Sequence, residues 1–139
     1  MFTPINMRSV NSYKNVAVET AVTTADPHQL VSLLFDALLQ SLNLAKASIQ
    51  KQDMKTKASS ITKAARILEE GLKAGLDMQK GGDIALTLRS LYDYCIYRVT
   101  EANLHNDVQI LDEVISALAP VADGWKQIRP QVVGSTKTM

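Results

Sequence analysis

The stretch DPHQLVSLLFDALLQSLNLAKASIQKQD, Asp26 to Asp53, decides the fold. It opens on a dense helix-start signal. The Asp26 carboxylate can accept from orphan backbone amides, Pro27 suits a first helical position, and Gln29 completes a capping-box pattern. The spacing predicts a helix from Pro27 to Gln52. Val31, Phe35, Leu38, Leu42, Ala45 and Ile49 recur three and four apart, a row able to fill a core by itself. Leu30, Leu34, Ala37 and Leu44 form a second row beside it, Leu33 extends further round, and Leu39 stands on the other flank. Together the apolar arc covers roughly 240°, far more than the ~100° stripe a bundle helix needs.

Outward from this helix, glycine and proline act as punctuation, and apolar residues recur at helical spacing with little strand-like alternation. Asp53 can cap a second helix, with Met54, Ala58, Ile61, Ala65, Leu68, Leu72 and Leu76 along one row, running to Lys80 where Gly81-Gly82 offers a left-handed stop. Asp83 then caps a third, with Ile84, Leu88, Leu91, Cys95, Val99 and Ala102 facing inward. Asn106, with Gln109 after it, opens a fourth whose inner row is Val108, Leu111, Ile115, Leu118, Ala122 and Trp125. A kink is expected at Pro120. Helices of roughly 20 to 26 residues span about 30 to 39 Å, and the short connections make successive helices antiparallel neighbours. The predicted fold is all-α, an antiparallel up-down four-helix bundle with a short N-terminal helical arm. Residues 1–25 form the arm and joint, with Val10, Tyr13, Val16 and Ala17 on an amphipathic stretch. Residues 26–128 form the bundle, and 129–139 a flexible tail.

Composition excludes several function classes. A chain of 139 residues with 46% hydrophobic positions can build one core without disulfide or metal. Fifteen Lys and Arg against fourteen Asp and Glu leave a formal charge of +1, too little for a nucleic-acid partner. With no signal-like apolar start and no run of eighteen apolar residues, a cytoplasmic protein without membrane insertion is expected. The lone Cys95, on an apolar row, reads as a buried reduced thiol.

No catalytic constellation is visible. Glu101 and His105 share a helix face, but a di-iron bundle needs two Glu-x-x-His pairs and two further glutamates, so no metal or other cofactor is expected. A histidine phosphotransfer module would carry its histidine in mid-helix, whereas His28 and His105 stand at helix ends, where both read as solvated. Gly81-Gly82 follows no strand and precedes no Gly-Lys-Ser/Thr, so it is no phosphate loop. The lysines from Lys51 to Lys73 read as a solvated face.

The surplus apolar surface of the first long helix has two readings. The other helices bury it all, or it forms a groove for an amphipathic segment, the protein's own arm or a partner's helix. On the second reading Leu30, Leu33, Leu34, Ala37 and Leu44 contact a partner, and Leu34 lies off the main core row. Tyr92, Tyr94 and Tyr97 cannot all face inward from one helix, which adds Tyr92 and Tyr97 to the candidate contact residues.

Six segments in order carry a family resemblance: VNSYKNVAVETA (Val10 to Ala21), DPHQLVSLLFDAL (Asp26 to Leu38), GLKAGLDMQKGGDIA (Gly71 to Ala85), LYDY (Leu91 to Tyr94), EANLHND (Glu101 to Asp107) and ADGWKQI (Ala122 to Ile128). With them the chain resembles the FliS family of flagellar secretion chaperones from Val10 to Ile128. The resemblance implies a non-enzymatic bundle that binds the C-terminal segment of flagellin, prevents premature polymerisation in the cytoplasm, and helps present the client to an export gate protein of the flagellar type III apparatus. It also implies that the arm, anchored by Val10 and Tyr13, lies in an apolar groove until the client displaces it. A homodimer is one state open to the client-free protein. A helical adaptor for a different export client, or a histidine phosphotransfer module, remains as the alternative.

Overall fold

The computed structural model describes residues 26–128. Among these, four α-helices follow one another: α1 (Pro27–Gln50), α2 (Met54–Arg66), α3 (Gly82–His105) and α4 (Val108–Gln127), with a π-helical segment, Ile67–Lys73, continuing α2. Each helix packs on its chain neighbours and α1 also packs on α4, which closes the bundle. The all-α four-helix architecture expected from the periodicity is present. The expected arm and the segment after Ile128 lie outside the described residues.

α1 starts as the sequence indicates. The Asp26 side chain accepts from the Gln29 amide at 2.7 Å, and the Gln29 side chain accepts from the Asp26 amide at 3.1 Å. The helix stops at Gln50, two residues short of expectation, because Gln52 takes a left-handed conformation (φ 62°). Asp53 then caps α2, accepting from the Thr56 amide at 3.2 Å.

The second helix departs from its expected course. Regular α-helix ends at Arg66, the π-helical segment ends at Lys73, and no helix reaches Lys80. The Ala74 amide reaches back five residues to the Glu69 carbonyl at 3.2 Å, the wide π pattern. Inside that segment, a Cβ on Gly71 would lie 3.0 Å from Leu34 Cδ2, so the missing side chain lets the backbone settle directly on α1. Asp77 then organises a turn by accepting from the amides of Gln79 and Lys80 at 3.1 and 2.9 Å. Gly82, at φ 55°, opens α3 instead of stopping α2, and Gly81, not Asp83, occupies the cap position.

Two further starts and faces differ. Asn106 ends α3 in a left-handed conformation (φ 52°), and Asp107 caps α4, accepting from the amides of Gln109 and Ile110. α3 buries Ala85, Tyr92, Cys95, Val99 and Ala102, so its inner face is rotated and Ile84 is left 73% exposed. On α4 the buried row is Leu111, Val114, Leu118 and Ala122. α4 runs through Pro120 without a break, and Pro120 and Ser116, four residues back, are both exposed, so the carbonyl deprived of a donor stands on the solvent side.

The core settles most of the question posed by α1. Leu30, Val31, Leu34, Phe35, Leu38, Leu42 and Ala45 are all buried, and Leu34 sits at its centre. The expectation that Leu34 lies off the core is therefore corrected, because Gly71 in the π-helical segment packs directly over it, while Ala37 and Leu44 of the same row stay partly or well exposed. By length and composition α1 could cross a membrane, yet the side chains that make it so apolar are largely the ones packed in this core. Cys95 is free and buried, and desolvation pushes its thiol up to about 11. Leu34→Asp should destabilise the bundle by more than about 3 kcal/mol, since a carboxylate would have no partner there. Chemical denaturation followed by far-UV circular dichroism measures this, and a variant with an unchanged midpoint would show that the contact is dispensable.

Candidate apolar cleft

At one end of the bundle the first half of α1, the π-helical segment, the start of α3 and the end of α4 surround a cleft of about 270 Å³. Val31 and Phe35 form its floor from α1, Leu72 and Leu76 one wall, and Ile84, Leu88 and Tyr92 another. Val121, Trp125 and Ile128 close it from α4, and the one carboxylate in its lining is Asp77. Four glycines, Gly71, Gly75, Gly81 and Gly124, contribute to its lining. At Gly124 a Cβ would meet nothing within 4 Å, so a side chain there has room to stand.

Trp125 is held in this wall by a reciprocal clamp. Its Nε1–H donates to the His28 carbonyl at 3.0 Å, and His28 Nε2 lies 2.7 Å from the Trp125 carbonyl. A carbonyl only accepts, so Nε2 carries the proton. The two rings stack with centroids 4.6 Å apart and planes 10° from parallel. His28 is thus buried at 4% exposure, not solvated as its place in a first helical turn suggested, and its Nδ1 has no hydrogen-bond partner among the described residues. The clamp joins the first turn of α1 to the last turn of α4, so both ends of the described chain emerge beside the cleft.

The residues singled out from the sequence are spread over several surroundings. Leu30 and Leu34 are core, and Tyr92 is buried but reaches the cleft lining. Burial pushes the Tyr92 phenol well above its ordinary range. Leu33 and Ala37 are half-buried against the core, and Leu44 is 50% exposed in the half of α1 away from the cleft. Tyr97, 60% exposed, donates to the Glu101 carboxylate at 3.3 Å, and Tyr94 donates to Glu113 at 2.5 Å. As expected, the three tyrosines do not share one environment. Val10 and Tyr13 lie outside the described residues. Periodicity places Ile84, Leu76 and Trp125 on core rows and assigns no role to Val121 and Ile128, yet all five line the cleft, for which the glycines interleaved with apolar residues from Gly71 to Ala85 are the available sequence signal. Among the described residues no group of three His, Cys, Asp or Glu side chains could hold a metal ion.

A model of the family described as flagellar protein FliS matches residues 9–132. The chain belongs to that family. It is 45% identical over 122 residues to the flagellar secretion chaperone FliS of Salmonella typhimurium, covering 88% of this chain and 90% of that protein. The Escherichia coli protein of the same name is 36% identical over 86% of this chain and 88% of its own length. The Bacillus subtilis one is 29% identical over 78% and 80%. The family match runs past both ends of the described bundle and takes in the stretch containing Val10 and Tyr13.

The open space at Gly124 provides a direct test of the cleft. Gly124→Leu should leave the melting temperature unchanged or raise it, because glycine in a helix costs about 0.5–1 kcal/mol relative to alanine. The same variant should reduce fluorescence of an apolar dye bound by the native protein. Undiminished dye fluorescence would show that dye binds elsewhere.

Proposed function

We propose that this chain is a cytoplasmic export chaperone that binds the disordered C-terminal segment of flagellin, prevents its premature polymerisation and aids its delivery to the flagellar type III export apparatus. The observation that carries this reading is an apolar, glycine-lined cleft in a member of a family whose relatives are named flagellar secretion chaperones. The role is binding without catalysis. A disordered client loses conformational entropy on ordering, and a long apolar seat offsets that cost. Ile84, exposed at the cleft rim, is the kind of large apolar side chain that a client would cover. Tyr92 contributes from the cleft wall. Leu33, Ala37 and Leu44 lie roughly opposite Val31 around α1, so a client using them, or Tyr97 on α3, wraps the bundle beyond the cleft.

In the client-free protein, the arm is proposed to occupy the cleft through Val10 and Tyr13. The described chain begins at Asp26, at the cleft's own end of the bundle, and the joint from Thr20 to Asp26 spans about 20 Å when extended. Such an arm shields apolar surface that would otherwise drive self-association into a homodimer, and the client's apparent affinity then includes the cost of displacing it. The loaded bundle is the form proposed to meet an export gate protein. A histidine phosphotransfer role is disfavoured because the His28 ring is buried and clamped by Trp125.

Flagellin should form a stoichiometric complex with this chain, and flagellin lacking its C-terminal disordered region should not. Isothermal titration with both proteins decides the matter, and equal affinity of the truncated flagellin would move the reading to an adaptor for another client. Deleting residues 1–18 should raise client affinity and increase self-association seen by sedimentation, while unchanged values for both would remove the arm from the cleft.

A further inference from the structure

Bases outnumber acids along the second helix and the turn before it. Between Lys51 and Arg66 stand five of the fifteen Lys and Arg and one of the fourteen acids, Asp53, which is engaged in capping α2. Lys57 is not part of the outer surface: it is buried, donating to the Asn103 carbonyl at 3.1 Å and to Asn106 Oδ1 at 2.6 Å, contrary to a wholly solvated lysine face. The others turn outward. Lys55, Ser59, Thr62 and Arg66 fall within about 60° of one another around α2, opposite its buried residues, and Lys63 flanks them. With Ala58 these side chains line a shallow open trough. Arg66 pairs with Glu70 at 3.3 Å, whereas no carboxylate stands within ion-pair distance of Lys55 or Lys63 among the described residues.

We propose that the outer face of α2 is a second docking surface, one that takes an acidic peptide segment of a partner protein. Small side chains at Ala58, Ser59 and Thr62 let a peptide approach the helix closely, and the bases stand on either side of them. From Lys55 to Arg66 the strip is about 16 Å long, enough for two or three turns of a helix carrying carboxylates on one face. The chain's own segments outside the described residues are poor occupants by charge. Residues 1–25 contain one acid, Glu19, against Arg8 and Lys14, and residues 129–139 contain none. A flat anionic bilayer fits less well than a peptide. Met54, 40% exposed, lies about 100° away from the strip, so no large apolar side chain stands between the bases to insert. Asp53 at one end and Glu69 and Glu70 at the other would be pressed against lipid phosphates, whereas a short segment fits between them. No residue of α2 lines the cleft, so the two surfaces can be occupied together. Charge complementarity here would act chiefly on encounter rate and choice of partner.

The test uses the full chain and two synthetic helical peptides, one with glutamates four residues apart along one face and one with glutamines in their places. Titration by nuclear magnetic resonance at low salt should shift amide signals within residues 51–66 for the glutamate peptide and not for the glutamine peptide. The double variant Lys55→Glu, Lys63→Glu should weaken glutamate-peptide binding about tenfold or more, and Lys80→Glu, an exposed control, should leave it within about twofold. Circular dichroism verifies that both variants remain folded. Equal binding of the glutamine peptide, signals shifting elsewhere, or no effect of charge reversal would overturn the proposal. So would capture by phosphatidylglycerol vesicles with no peptide binding, which would assign the face to lipid. None of these readouts involves flagellin, so the cleft reading stands or falls separately.

Discussion

Burial of the over-apolar α1 is the constraint on which the structure depends. A fully buried Leu or Phe contributes about 1.5–3 kcal/mol, and α1 supplies Leu34, Phe35, Leu38 and Leu42 from one helix. No single neighbour could cover an arc that wide. α2 and α4 take its two sides, and the π-helical segment closes over Leu34, where Gly71 admits the contact because it has no side chain. The π-helical segment and the glycine-rich turn through Asp77 that follows it then supply one wall of the cleft. One stretch of chain therefore both packs on α1 and walls the cleft.

Polar groups set directions that apolar packing leaves free. The His28 and Trp125 clamp registers the start of α1 with the end of α4 and places Trp125 in the cleft lining, using hydrogen bonds worth about 0.5–1.5 kcal/mol each. Lys57 ties α2 to the left-handed end of α3 through Asn106. Ion pairs then bridge neighbouring helices: Lys126 with Asp36 and Lys46 with Asp112 between α1 and α4, and Arg98 with Glu113 between α3 and α4. These exposed pairs contribute about 0–1 kcal/mol apiece, so they refine alignment more than they hold the fold. At Glu113, the Arg98 guanidinium and the Tyr94 hydroxyl hold the carboxyl below its usual range, and the same hydrogen bond raises the Tyr94 phenol.

The molecule divides its surface chemically. One end offers a cleft with a single carboxylate in its lining, and the outer face of α2 offers bases without nearby acids to neutralise Lys55 and Lys63. An apolar seat gives affinity with little directional demand, and a charged strip gives orientation and partner choice.

Helix number and the starts at Asp26 and Asp53 were determined by the sequence alone, because caps and turns are local chemistry. Asp26 with Gln29, Asp53, and the glycines near residue 81 act through hydrogen bonds and backbone angles within a few residues of themselves. Burial of Cys95 and the main row of α1 followed equally from periodicity. Which face each helix turns inward was decided by its neighbours. α3 carries apolar residues on both flanks, Ile84 on one and Ala85 with Tyr92 on another, and periodicity does not rank them. The π-helical segment changes the phase of every residue after Ile67, so a row extrapolated to Leu76 loses its alignment. His28 looked solvated because its partner, Trp125, stands 97 residues away along the chain. Leu34 looked surplus because the group that covers it, Gly71, has no side chain with which to announce a contact.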